Sequence, residues 1–470
     1  MATKFDLAVL GAGPGGYVAA ARAAQLGLKT ALIEKEQRLG GTCLLRGCIP
    51  TKALIHAAEV WQLCRKGSKT FGVTTESASF DWARVQKRKE MAITKGSKGV
   101  ELLMKEKGVT IFWGHGRLEK PGSLVVEAEG EKNVTVAAAK IILATGSTTA
   151  SLPICEIDGE HILTSDHLLQ IETLPESLIV LGAGAVGVEF AAVMNSFGCK
   201  VTLVEMLPRI LPLEDAECSE VVAKYLQRQG VKIHTGTRAT EITGTAEGVR
   251  AVLKEGETAQ TTEVTAEKLL VAVGRKPVTK DIGLENCAAE VDRRGFVLVD
   301  AMMETNEPGL YAIGDIVPTP QLAHLASREA LVAVGHATGH PLPPIRYDQV
   351  PSCTYSNPEV ASVGLTEEEA RQRGHHIETG RFPFAALGKA SILNEPHGFV
   401  KVVADAENGK ILGVHMVGPR VTELIAEATT VMGLDAELSA WSTIIHPHPT
   451  LSEAVSEAVH AAFGEPLHGV

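Results

Sequence analysis

Aromatic residues and positive charge are both scarce in this chain. It holds 11 Phe, 5 Tyr and 4 Trp in 470 residues, and its 45 Lys and Arg face 56 Asp and Glu, for a formal net charge of −11. With that sign and so few rings to stack on bases, no nucleic-acid partner is expected, although a basic protein partner would suit the surface. Long apolar runs are missing too. No uninterrupted stretch reaches the roughly 20 residues that span a bilayer, so no membrane role is expected. The first strand pattern, residues 5–10, begins almost at Met1 and leaves no room for a signal or transit peptide, which makes the cytoplasm the expected location. Eight cysteines stand at 43, 48, 64, 155, 199, 218, 287 and 353, and only the first two are close together. That scatter excludes a disulfide-stapled scaffold and points to a reducing compartment, and without paired short-spaced ligands no metal is expected.

What is present is a repeat. The apolar run 7–10 leads into Gly11-Ala12-Gly13-Pro14-Gly15-Gly16, a helical stretch, and Thr30-Ala31-Leu32-Ile33-Glu34. Gly11 permits the tight turn, Gly13 lets the backbone approach a pyrophosphate, and Gly16 lets helix and strand pack closely. Glu34 is placed to accept hydrogen bonds from a ribose diol. The pattern returns at 177–205, with Gly182, Gly184 and Gly187 in the loop and Glu205 at the strand end. Each half closes on a strand and a glycine, Gly146 in the first and Gly274 in the second. The expected fold class is therefore α/β, with two Rossmann-like dinucleotide-binding domains and two different dinucleotides. Glu205 favours NAD because a carboxylate repels a 2′-phosphate, although Arg209 is near enough in sequence to meet one.

The first half also carries Gly40-Gly41-Thr42-Cys43-Leu44-Leu45-Arg46-Gly47-Cys48-Ile49-Pro50-Thr51-Lys52. Cysteines five positions apart do not share a face of a regular helix, so pairing them demands a distorted first turn, which Gly47 permits. Pro50 suits an early helical position. The helix N-terminus, with Arg46 alongside, is expected to favour a Cys48 thiolate. A redox pair is the first reading. A structural disulfide, or a zinc site recruiting His56 and Cys64, leaves the adjacent dinucleotide motif unexplained. Since a redox disulfide must exchange electrons with a flavin, the half with the thiols should hold FAD and the other half NAD.

From about residue 346 the pattern changes. Residues 399–403 and 411–417 flank Glu407-Asn408-Gly409 as a β-hairpin, and 421–432 reads as an amphipathic helix. An added α+β domain with apolar faces and no nucleotide signal is expected to be a dimerisation domain. It ends in His446-Pro447-His448-Pro449-Thr450-Leu451-Ser452-Glu453, where Glu453 can orient His448 as a general base. The expected domains are 1–150 for FAD with the redox disulfide, 151–275 for NAD, 276–345 completing the FAD site, and 346–470 as the dimer interface.

Taken together, these motifs resemble the FAD-dependent pyridine nucleotide–disulfide oxidoreductases over essentially the whole chain. The segment from Gly41 to Lys52, Val204-Glu205 with Arg209-Ile210-Leu211-Pro212, Gly314-Asp315-Ile316-Val317-Pro318 with Leu322-Ala323-His324, Tyr355 to Gly364, and His448 to Glu453 are most similar to the members that oxidise protein-bound dihydrolipoamide with NAD. The resemblance implies Cys43 as the interchange thiol, Cys48 on the flavin side, and Lys52 near flavin N5, paired with Glu189. It also implies Asp315 on the ribitol, Ala323 among the flavin contacts, and His448 with Glu453 supplied by the other subunit of a homodimer. The implied partner is a lipoyl-bearing acyltransferase or lipoyl carrier protein. Four positions depart from the family pattern: Leu45 and Arg46 between the cysteines, Pro447, and Ala330 after Glu329. An NADPH-dependent reductase of glutathione or mercuric ion is disfavoured by Glu205, and a non-catalytic scaffold by retention of both cysteines, Lys52, His448 and Glu453.

Overall fold

The computed structural model describes residues 3–128, 130, 132–245, 247–256 and 260–468. The chain divides into two compact units. One gathers residues up to 54, 81–150 and 274–345; the other gathers 55–80, 151–273 and 346 onward.

In the first unit, Thr3–Leu10 is the central strand, flanked in parallel by Thr30–Glu34 and Val134–Leu143. Thr110–Trp113 extends one side, while Ser123–Glu127 and His115–Lys120 extend the other antiparallel. Leu310–Ala312 arrives from much later in the chain and pairs in parallel with Val134–Leu143, completing a seven-stranded sheet. Thr30–Glu34 is buried along its whole length, as a parallel strand covered on both faces must be. Small side chains on the helix Pro14–Gln25, Ala19, Ala20 and Ala23, pack in one core with Ala330 and Ala333 of the helix Ala323–Ala337. Ala330 is thus a buried packing residue.

Between Cys48–Gln62 and Thr110–Trp113 in the chain lies a 25-residue helix, Trp82–Glu106, started by Asp81, whose side chain accepts the Arg84 N–H. It buries Trp82, Lys89, Ile93, Ser97 and Met104.

In the second unit, a five-stranded parallel sheet runs Lys232–His234, Lys200–Val204, Ser177–Leu181, Lys268–Val271 and Ile162–Leu163. The meander Thr237–Thr245, Gly248–Glu255 and Thr261–Ala266 is antiparallel. The C-terminal sheet is ordered Ser352–Thr354, Glu359–Gly364, Ile411–Gly418, Phe399–Asp405 and Ile377–Pro383. The expected hairpin and helix are both present, the helix as Val421–Gly433, and with Glu453–Ala462 it covers a core that includes Phe382, Phe384, Met416 and Trp441. Lys401 is buried in this unit, bonded to Asp215 and Glu217 at 3.0 and 2.8 Å and to Glu367 at 2.8 Å. Among the described residues, no helix is long and apolar enough to cross a membrane.

Candidate active site

The two glycine loops are built alike. Gly11 has φ +103°, and a Cβ on it would lie 2.4 Å from the Ala144 carbonyl oxygen; Gly182 has φ +93°, with the Ala272 oxygen at 2.4 Å. A Cβ on Gly16 would lie 1.8 Å from the Gly11 oxygen, and one on Gly187 1.9 Å from the Gly182 oxygen. No side chain larger than hydrogen fits at these points. At Gly184 an added Cβ would meet nothing within 4 Å, and at Gly13 only the Gly41 Cα at 3.9 Å. Gly146 and Gly274, both at positive φ, also face open space.

Gly13 and Gly184 are the N-caps of two 12-residue helices, and neither helix has a side-chain cap. Leading N–H groups beside open space, at the positive end of a helix, suit a pyrophosphate. The residues present therefore fit a dinucleotide in each half.

The strand-end acids do more than the sequence suggests. Glu34 accepts the Ala12 N–H at 2.8 Å and the Glu36 N–H at 2.9 Å, while Glu205 accepts the Ala183 N–H at 2.7 Å and the Leu207 N–H at 2.9 Å. Each pins its own glycine loop across 22 residues. Burial pushes the Glu34 carboxyl up, opposed by the Glu36 and Ala12 N–H groups. Arg209 turns toward Glu368, 3.5 Å away. Its charge is thus already met by a carboxylate.

The redox segment is two helices instead of one. Cys43 sits in Gly41–Arg46, and Cys48 begins the 15-residue helix Cys48–Gln62; the break is at Gly47. A Cβ on Gly47 would come within 3.0 Å of the Thr42 oxygen, so glycine allows the two turns to fold against each other. Gly41, at φ +59°, lies so close to the first glycine loop that a Cβ would be 2.5 Å from the Gly13 Cα, and Gly40 donates to the Ala12 oxygen at 3.0 Å. The thiols are thereby fixed beside the first nucleotide loop. On the far side, Leu44 fills the space that a side chain at Gly96 would take.

Cys43 and Cys48 are free thiols close enough for Cys48 to act directly on Cys43. The neighbouring Cys48 and burial push the Cys43 thiol up, while Lys52 opposes them. Arg46 pairs with Glu36 at 3.2 Å, so its charge is partly compensated. Among the described residues, no three His, Cys, Asp or Glu side chains gather to hold a metal ion.

Asp315 lies on the short turn Gly314–Ile316, where it accepts the Ser147 hydroxyl; Arg275 donates to Ser147 Oγ and O at 2.7 Å each. The turn is held by a residue the sequence did not single out as functional. Glu329, fully buried, accepts the Gly314 N–H at 2.6 Å and the Thr319 hydroxyl at 2.8 Å. Its only sequence signal was an acid at an otherwise apolar helical position. Ala323 opens its helix, which has no side-chain cap. Glu189, buried on Ala185–Ser196, accepts the Tyr355 N–H at 2.9 Å.

His448 and Glu453 do come together: Nδ1 lies 2.8 Å from Oε1, and Oε2 accepts the Thr450 N–H at 2.8 Å. Burial works against the Glu453 charge, yet the Thr450 N–H and His448 hold the carboxyl below its ordinary range. The His448 side chain is 79% exposed, and nearby Ile445 is 93% exposed.

The chain's architecture and site are those of a flavoprotein disulfide oxidoreductase. The family described as pyridine nucleotide-disulphide oxidoreductase matches residues 5–330, and its dimerisation domain matches 350–459. The chain belongs to this family, and FAD and NAD are the two dinucleotides of its dihydrolipoyl dehydrogenase members. Dihydrolipoyl dehydrogenase of Bacillus subtilis is 46% identical over 479 residues, covering 100% of both chains, and that of Zymomonas mobilis is 43% identical over 470 residues with the same coverage. The crystal structure of LpdA from Mycobacterium tuberculosis superposes with a TM-score of 0.89 at 27% identity, covering 97% of this chain and 99% of that one.

Proposed function

We infer that this protein oxidises dihydrolipoyl groups to the cyclic disulfide with NAD as final acceptor. The observation that carries this reading is the Cys43 and Cys48 pair clamped, through Gly41, against the first glycine loop. In the oxidised enzyme the two cysteines form a disulfide. One substrate thiol gives its proton to His448 and attacks Cys43, so that a mixed disulfide forms and Cys48 leaves as thiolate. The second substrate thiol attacks that mixed disulfide; the lipoyl S–S bond forms, and Cys43 is released as the thiol. Cys48, the first residue of the helix Cys48–Gln62, stands at the helix end that favours a thiolate, which supports a division in which the proton stays on Cys43 and the negative charge on Cys48. FAD, held by the Gly11–Gly16 loop with Glu34 and Asp315, would supply the two-electron relay between the dithiol and an NAD held by the Gly182–Gly187 loop and Glu205.

Lys52, near enough to oppose the shift at Cys43, steadies the thiolate. Glu453 orients His448 and balances its charge when protonated. The enzyme is a homodimer in which His448 serves the thiols of the other copy; its exposure beside Ile445 suits a surface that a second copy covers. A lipoyl-bearing acyltransferase or lipoyl carrier protein delivers the substrate in the cytoplasm.

The direct test is steady-state oxidation of dihydrolipoamide with NAD and with NADP. Turnover with NAD supports the reading, and no turnover with either would sink it. A spectroscopic test assigns the thiols. Partial reduction is expected to give a long-wavelength band from a thiolate against oxidised flavin; Cys48→Ser should remove it, and Cys43→Ser should show it without reductant. The reverse pattern would exchange the two roles.

Glu205→Ala is expected to weaken NAD binding by roughly 1.5–3 kcal/mol, the scale of a hydrogen bond to a charged group, and to narrow the NAD to NADP ratio of kcat/KM. An unchanged ratio would move cofactor choice away from Glu205.

A further inference from the structure

A second imidazole lies behind the His448 and Glu453 couple. The His446 side chain is only 7% exposed, and both of its ring nitrogens face oxygen. Nε2 is 2.9 Å from Glu427 Oε1, and Nδ1 is 3.2 Å from the Ile444 carbonyl oxygen. A neutral imidazole has one N–H and one bare nitrogen, and the bare nitrogen would set its lone pair against an oxygen lone pair. Two acceptors therefore select the imidazolium, with an N–H donating to each. The same Glu427 oxygen accepts the indole N–H of buried Trp441 at 2.8 Å, which fixes the carboxylate in place. In keeping with this geometry, Glu427 raises the His446 proton affinity; burial opposes it, and Glu453 adds to it.

We propose that His446 is a positioning residue for proton transfer: a buried imidazolium, neutralised by Glu427, that anchors the segment carrying His448 and sets a fixed positive charge beside Glu453. The charged and titratable groups that bear on it are Glu427 on Val421–Gly433, Glu453 on Glu453–Ala462, and His448 on its own segment. The inference rests on His448 being the base.

The two charges of the pair cancel, so removing either one has a sign. His446→Gln leaves the Glu427 carboxylate uncompensated, which favours protonated His448; the acid limb of the kcat/KM profile for dihydrolipoamide should move up by roughly half to one pH unit. Glu427→Gln removes the anion, and the limb should move down or stay. The double variant, with both charges gone, should return the limb to near its wild-type position. A packing role would lower rates without separating the limbs. If the limb in His446→Gln stays at the wild-type pH, or both single variants move it upward, the proposal is overturned. His448→Gln separates the two levels: loss of the limb there with an unmoved His446→Gln overturns this proposal alone, whereas a limb that persists in His448→Gln overturns the base assignment and the proposal with it.

Discussion

Heterodimers pairing a Cys48→Ser chain with a His448→Ala chain are expected to recover roughly half of wild-type activity, although each homodimer alone falls by about 10²-fold or more. Without Cys48 no disulfide can form, and without His448 no side chain takes the substrate proton. If His448 serves the thiols of the other copy, one site of the mixed dimer carries both lesions and the other carries none. If it serves its own chain, every site keeps one lesion. Purified heterodimers, made by co-expression with two affinity tags, decide between these arrangements, and heterodimers as inactive as the parents would falsify the shared site. The exposed His448 ring, already held at Nδ1 by Glu453, leaves Nε2 for the substrate.

The second large effect separates the two nucleotides. A Cβ at Gly16 or Gly187 would stand less than 2 Å from a backbone oxygen of its own loop, so alanine at either position must displace the loop. Gly16→Ala is expected to purify without flavin and therefore colourless. Gly187→Ala should stay yellow and be bleached by dihydrolipoamide, yet lose reduction by NADH. Absorbance at the flavin maximum, before and after each reductant, reads both outcomes. A colourless Gly187→Ala protein with a yellow Gly16→Ala protein would reverse the assignment of FAD and NAD to the two halves.

Much of this site was legible in the chain because its chemistry is local. The glycine spacing, the acid at each strand end, the cysteine pair and the His448 to Glu453 interval each lie within a few residues of a recognisable turn, where backbone geometry restricts what can stand there. What escaped was non-local. The helix Trp82–Glu106 was hidden because its buried face includes Lys89 and Ser97, which dilute the apolar period. Glu329 gives no local signal because its partners, Gly314 and Thr319, are joined to it only by the fold. The pairing of Arg46 with Glu36, ten residues earlier, is likewise set by the fold and not by a local turn. Glu34 and Glu205 were expected to bond ribose hydroxyls; their bonds to Ala12 and Ala183 show that an acid at this position also shapes the loop that precedes it.

The late strand Leu310–Ala312 has a consequence for biosynthesis. It closes a sheet whose other strands are complete by Leu143, so at the usual pace of synthesis the ribosome works for roughly 10–30 s between the two. During that interval Val134–Leu143, already paired near its start with Ser123–Glu127, is bare along one edge only at residues 141–143, and the turn that carries Asp315 does not yet exist. The parallel sheet spanning residues 162–271 is contiguous in sequence and can form inside the gap. Order of assembly thus runs opposite to order of translation: the sheet made second closes first, and a chain truncated before residue 310 should emerge with the 141–143 edge still open to proteases.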